Sequence, residues 1–179
     1  TDKNRPDQGW HTYTEIAHNL IAYLKENHYT HVEFMPLAEH PFDGSWGYMI
    51  SGFFSVTSRY GTPQQLMELI DELHRNNIGV IMDYVPIHFV PDGFALANFD
   101  GTRLYEYTAS DIAYSQWGSC NFDFEKNEVR SFLQSAANFW VDLFHVDGLR
   151  VDAVSNAIYW MGNSDRGVNM GGMTFIRGL

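Results

Sequence analysis

The sequence predicts an α/β fold built on a parallel sheet, and three observations carry that reading. Three stretches with apolar residues at helical spacing alternate with three short apolar runs, in the order helix, strand, helix, strand, helix, strand. The middle run, Ile78 to Val85, is apolar on both faces, as a parallel strand covered by helices is. Two long loops, Ala38 to Tyr60 and Pro86 to about Asn127, follow the first two runs, and loops of that length are usually functional.

Each element has its own justification. Thr1 to Trp10 is polar and punctuated by Pro and Gly, a loop or a trimmed terminus. Thr14 is suited to cap a helix running to about Asn27, with Ile16, Leu20, Ile21 and Leu24 on one stripe. His31 to Leu37 (HVEFMPL) is a short apolar run broken near its end by a Pro and reads as a strand. Thr62-Pro63 opens the next helix, which ends near Asn77 and carries a stripe of Leu66, Leu69, Ile70 and Leu73. Glu128 to His145 gives a strong helix with Val129, Leu133, Ala136, Trp140, Val141 and Phe144 facing the core. Gly148 to Asn156 (GLRVDAVSN) then reads as a short buried strand through Leu149, Val151, Ala153 and Val154. The chain does not begin with Met and stops in an apolar-periodic FIRGL, so it reads as a piece of a longer protein.

Composition narrows the function. At 179 residues, 45% apolar and 16% aromatic, one domain with a sizeable core is expected. The formal charge of -11, with no Lys/Arg cluster, argues against nucleic acid or an anionic membrane as partner and favours a neutral ligand. A single cysteine, Cys120, excludes an internal disulfide framework and fits a reducing cytoplasm. Neither CxxC nor HExxH spacing occurs, so no metal and no cofactor is expected, and no apolar run approaches the ~20 residues of a membrane span.

The unusual polar residues fall at the predicted carboxyl ends of strands. Asp83 and His88 follow the second, Trp46 and Tyr48 the first, and Arg150 and Asp152 lie two positions apart in the third, on one strand face. A guanidinium beside Asp152 favours its anionic form, which a carboxylate nucleophile requires; an ordinary Arg–Asp ion pair is the alternative. Both a doubly wound sheet and a (β/α)8 barrel place functional residues at strand carboxyl ends. No Gly-rich phosphate loop follows any strand, which favours the barrel.

DYVPIH (Asp83 to His88) together with GLRVDAVSN resembles two signature regions of the α-amylase superfamily of glycoside hydrolases and transglycosylases. EHPFDGSWGYMISGFF (Glu39 to Phe54), Pro86, FDGTRLYEY (Phe99 to Tyr107) and the run from Trp117 to Asn156 are similar to the 1,4-α-glucan branching enzymes within it. The resemblance implies a partial (β/α)8 TIM barrel. Residues 1–179 would hold roughly strands 2 to 4 of a single catalytic barrel domain, without the first strand and the last four. It implies Asp152 as nucleophile, Arg150 as the arginine that orients it, Asp83 and His88 as the floor of the subsite where the bond is cut, and Tyr48 as the aromatic that stacks on that sugar ring, with Trp46 as a further substrate-binding residue.

The implied partner is an α-1,4-glucan such as glycogen, and the implied reaction a retaining double displacement with two carboxylates about 5 Å apart. The family's acid, a Glu after the fifth strand, and its third carboxylate would lie beyond Leu179, since Glu33, Glu39, Glu106, Glu125 and Glu128 sit in no matching motif. The piece alone is therefore expected to be inactive, and to self-associate through open sheet edges and apolar interior faces such as those of Val80, Met82, Leu149 and Val151. A starch-cleaving hydrolase of the same superfamily and a non-catalytic glucan-binding or structural fragment remain as alternatives.

Overall fold

The computed structural model of the chain describes residues 9–179, so the stretch expected as an opening loop lies mostly outside the described residues. Helix α1 (Tyr13–Glu26) is capped by Thr12 and not by Thr14. The reason is reciprocity: Thr12 Oγ1 accepts from the Glu15 N–H at 3.2 Å while the Glu15 carboxylate accepts from the Thr12 N–H at 2.8 Å. Ala17, three residues after Thr14, offers no such return bond. Strand β1 (His31–Phe34) stops short of Pro36. The long loop after it contains a hairpin of β2 (Ala38–Glu39) and β3 (Gly52–Val56). Helix α2 (Pro63–Arg75) starts at a Thr62/Gln65 capping box with Pro63 in its first turn, and its expected stripe of Leu66, Leu69, Ile70 and Leu73 is buried.

Strand β4 (Gly79–Tyr84) follows. The second long loop contains β5 (His88–Phe89) and β6 (Cys120–Asn121), paired antiparallel. Helix α3 (Asn127–Phe144) buries Val129, Leu133, Ala136, Trp140 and Phe144, but Val141 is 41% exposed. One residue past Trp140, Val141 sits about 100° further round the helix and off the stripe. Strand β7 (Gly148–Val151) is only partly buried and ends well before Asn156. The apolar alternation continues beyond it, but Ala153 turns left-handed (φ 48°) and α4 (Val154–Ile158) begins. Helix α5 (Met170–Arg177), capped by the Asn169 side chain, closes the chain, and its Phe175 stacks on Phe124 at 5.2 Å.

The three principal strands lie in the order β1-β4-β7, all parallel, with Glu33 opposite Ile81 and Asp83 opposite Arg150. Strands consecutive along the chain are neighbours in space, α1 packs on α2, and α2 on α3. That is the layout of a barrel wall; a doubly wound sheet reverses its order and carries helices on both faces. Val80, Met82 and Tyr84 face the helices, and the Tyr84 hydroxyl donates to the Leu133 carbonyl of α3 at 2.6 Å. Register puts Leu149 beside Met82 and Val151 beside Tyr84, so of the two sides of the sheet these four apolar residues take the helix-covered one. The opposite face is more polar: Glu33 and Arg150 are exposed, Ile81 partly so, and Asp83 is buried.

The hairpin is rooted in the core. Trp140 Nε1–H donates to the Phe53 carbonyl at 3.2 Å, and the Phe53 ring meets Phe122 and Phe132 edge-on at 5.3 and 5.7 Å. At its open end the Glu39 carboxylate accepts from Arg59 Nη1 (2.7 Å), the Ser58 N–H (3.0 Å) and the His40 N–H (2.9 Å). Arg59 Nε also donates to Asp43 at 2.5 Å, tying in the turn before Trp46. Burial opposes the Glu39 anion, but the Ser58 and His40 N–H groups and Arg59 outweigh it, and the pKa falls below the usual carboxylate value.

A depressed folded-state pKa adds stability that is complete above the unfolded value of about 4.3 and is lost as pH falls through the folded one. We therefore expect Glu39→Gln to destabilise the folded protein by about 1 to 2 kcal/mol at neutral pH. The gap to the wild type should stay constant down to about pH 5 and close below about pH 4. Thermal melts of both proteins across that range check it; a gap as wide at pH 3 as at pH 7 would contradict the clamp.

Candidate active site

Asp83 lies next to last in β4, on the face turned away from the helices, and is only 2% exposed. The parallel register with β7 sets Arg150 beside it, and Arg150 Nη1 donates to Asp83 Oδ1 at 2.9 Å and Oδ2 at 3.0 Å. The same nitrogen donates to Asp152 Oδ1 at 2.7 Å. Asp152 is one residue past the end of β7, and its N–H continues the ladder to the Tyr84 carbonyl at 2.9 Å. One guanidinium thus joins two carboxylates that arrive on different strands. The bonds to Asp83 first, and then those to Asp152, hold the Arg150 pKa above its already high ordinary value.

Tyr48 enters from the hairpin loop and donates its hydroxyl to Asp83 Oδ2 at 2.5 Å. Burial, and then this bond to an anion, pushes its pKa up to about 12, so it remains a donor at neutral pH. Gly47 makes the approach feasible. It adopts φ 95°, and a Cβ there would lie 2.5 Å from the Pro36 carbonyl oxygen. Trp46 behaves differently from its neighbour: it is 70% exposed and borders a cleft on the β1 side with Met35 and Tyr60.

His88 is 3% exposed, held by the β5–β6 pairing opposite Asn121, and its Nδ1 has no hydrogen-bond partner among the described residues. Burial lowers its pKa to about 4 although the charge of Asp152 pulls the other way, so the ring is neutral at physiological pH. The Trp117 ring lies against it, 5.3 Å between centroids.

The two aspartates differ chemically. Both Asp83 oxygens are engaged, Oδ1 by Arg150 and Oδ2 by Arg150 and Tyr48. Asp152 accepts from Arg150 through Oδ1 and its side chain is 21% exposed. Asp152 is thus the more open of the two carboxylates, and Asp83 the one fully engaged by its neighbours. Among the described residues, no group of three or more His, Cys, Asp or Glu side chains is placed to hold a metal ion. Sequence reasoning weighed Glu39 only as a possible acid and so missed its clamp with Arg59, which needs contacts twenty residues apart. It also passed over Trp117, although the SQWGS turn signal was legible.

Residues 7–117 match the family described as the α-amylase catalytic domain. A 1,4-α-glucan branching enzyme from Fusobacterium nucleatum is 51% identical over 158 residues, which cover 88% of this chain and 26% of that protein. Its counterpart from Nitrosomonas europaea is 46% identical over 188 residues, 99% of this chain and 26% of that one. The chain spans about a quarter of the length of these relatives. The crystal structure of the α-amylase from Geobacillus thermoleovorans complexed with acarbose superposes with a TM-score of 0.74 at 23% identity, over 99% of this chain and 40% of that one. A maltogenic α-amylase from Thermotoga neapolitana gives 0.65 at 20% identity, over 78% of this chain and 34% of that one. These two likenesses bear on the fold, and with the strand order they make the described residues part of an α/β barrel. The family match extends over more than half of the sequence, and this chain belongs to the α-amylase catalytic-domain family.

Proposed function

We propose that this chain is the nucleophile-bearing part of a 1,4-α-glucan branching enzyme, holding roughly strands 2 to 4 of its catalytic barrel. The observation that carries the reading is the single guanidinium of Arg150 bonded to both Asp83 and Asp152 at the strand ends, and the names of relatives about half identical to it point to the same activity. Asp152 attacks the anomeric carbon of an α-1,4-linked glucose. As its carboxylate oxygen bonds to that carbon, the glycosidic bond breaks and the leaving 4-oxygen takes a proton from an acid supplied by another part of the protein. The 6-hydroxyl of a second glucan then gives its proton to the group that had acted as acid, displaces the Asp152 carboxylate from the anomeric carbon and creates an α-1,6 branch. Tyr48 packs against the sugar, and His88, neutral, offers it a hydrogen-bonding ring nitrogen without adding charge. A neutral polysaccharide suits a strongly acidic chain without basic clusters, and glycogen in the cytoplasm is the corresponding partner.

Replacing Asp152 by Asn in the full-length protein removes the nucleophilic charge at constant shape. Branching of amylose, read as new α-1,6 linkages, should drop by at least about a thousandfold while glucan binding persists. Retention of more than about a tenth of wild-type turnover would contradict the assignment. Reducing sugar released without new branches would indicate a hydrolase instead.

The isolated 179-residue chain should show no turnover, because none of its glutamates sits in a motif like that of the family's acid, which under this reading another part of the protein supplies. Strands β1 and β7 each leave one edge of the three-stranded sheet unpaired within the described residues. Such edges recruit partners, so the isolated chain should self-associate. Light scattering after size exclusion at micromolar concentration tests this, and a cooperatively melting monomer of 20.6 kDa would refute it.

A further inference from the structure

Trp117 takes no part in the chemistry above, yet a dense set of hydrogen bonds fixes its position. The Ser115 N–H donates to the Ser119 carbonyl at 2.8 Å, and the Gly118 N–H to the Ser115 carbonyl at 3.1 Å. The two serine hydroxyls, both buried, meet at 2.5 Å, and Ser115 Oγ also accepts from the Trp117 N–H at 3.1 Å. Gly118 adopts φ 78°, the left-handed conformation that closes a tight turn. Immediately outside the turn, Tyr114 bridges to Cys120, and the strand of Cys120 pairs with that of His88. The indole and the buried histidine are therefore carried by one small sheet, with their relative placement set by backbone bonds.

The ring is 49% exposed while His88 beneath it is 3% exposed. The indole lies against His88 with the two ring planes tilted by 42°, and His88 in turn feels the charge of Asp152. Tyr114 is about as exposed, but Arg103 sits over its ring at 5.7 Å and binds the carbonyls of Tyr107 and Thr108, which gives it a role in the loop's own packing. Covering a histidine needs only a modest aliphatic side chain. A large flat ring held rigid and left half open is costly in water and suits a ligand with an apolar face. Sugars present such faces, and a fixed aromatic loses little entropy on binding them.

We propose that Trp117 is a sugar-binding residue of this site, its indole stacking on a glucose ring of the α-1,4-glucan that lies along the strand ends beside His88. This rests on the glucan reading proposed above. The test compares Trp117→Ala, Trp117→Phe and Asp152→Asn in the full-length protein, by calorimetry with maltoheptaose and by kinetics with amylose. Trp117→Ala should weaken maltoheptaose binding about tenfold or more, with the loss falling on KM more than on kcat. Trp117→Phe, which keeps a flat ring, should stay within about threefold of wild type. A folded Trp117→Ala protein with wild-type affinity and KM would overturn the proposal, as would equal losses in the Ala and Phe variants. Asp152→Asn separates the two readings: if it retains turnover the catalytic reading falls, whereas the calorimetric comparison at Trp117 stands on its own. Should Trp117→Ala fail to fold, tryptophan fluorescence decides the matter. A maltoheptaose-induced change seen in wild type and missing in Trp117→Phe supports stacking, and the same change in both excludes it.

Discussion

A carboxylate on the central strand of a sheet, almost fully removed from water, has to find partners, and the arrangement around Asp83 follows from that need. Leaving such a group unpaired costs on the order of several kcal/mol, whereas the pair with a half-exposed Arg150 gains far less, because solvent screens the arginine. The consequence is one of register. A slip of one residue between β4 and β7 would turn Arg150 into the helix layer and bring Leu149 or Val151 toward Asp83. Burial of Asp83 thus penalises every wrong register of the strand that carries Asp152, and the candidate nucleophile arrives beside its arginine as part of folding.

Tyr48 satisfies the same carboxylate from the third side, and it comes from a loop, so its placement depends on how that loop is held. Three independent fixings converge on it. Trp140 and the Phe53 ring contacts bind the hairpin to α3, the Glu39–Arg59–Asp43 clamp closes its open end, and Gly47 lets the backbone pass against Pro36. Each is of a different physical kind, apolar packing, charge and steric clearance, so a single substitution weakens the loop without releasing it. A side chain on a loop fixed in this way loses little further entropy on meeting a ligand.

How much of this was legible in the sequence depended on the range of the interaction concerned. The stripe of α2, with its Thr62/Gln65 box and Pro63, is a local pattern and reads directly. The doubly apolar Ile78 to Val85 run, and the proximity of Asp83, Arg150 and Asp152, follow from the alternation of strand faces and from parallel neighbours. The hairpin was not legible, since Ala38–Glu39 is two residues long and two residues carry no period. Its stability comes from contacts with Phe122, Phe132 and Trp140 far along the chain. The end of β7 was misread for the opposite reason: the pattern Val151, Ala153 persists past the point where the backbone turns. Trp46 and Tyr48 are both aromatic residues of one loop expected to bind substrate, and the tertiary structure separates the one that reaches Asp83 from the one that faces outward.

That turn at Ala153 bears on function. Among the described residues, seven other than glycine have positive φ, and His28, Asn77 and His145 of these simply end helices, where a left-handed residue satisfies the last carbonyls. Trp46, two residues before Tyr48, likewise closes the single turn Asp43–Ser45, its N–H bonded to the Asp43 carbonyl, whereas Ala153, directly after Asp152, ends no helix. For an alanine the left-handed conformation costs about 1 kcal/mol or more, and it persists only where the surroundings over-determine it. Here they do. The Asp152 N–H is held by the Tyr84 carbonyl, its carboxylate by Arg150, and α4 starts at once, with the Asn156 N–H bonded to the Ala153 carbonyl at 2.8 Å. A chain that continued as a strand would carry residue 153 into the helix layer and leave Asp152 buried along an inner wall. The strained turn keeps the carboxylate at the rim and partly solvated.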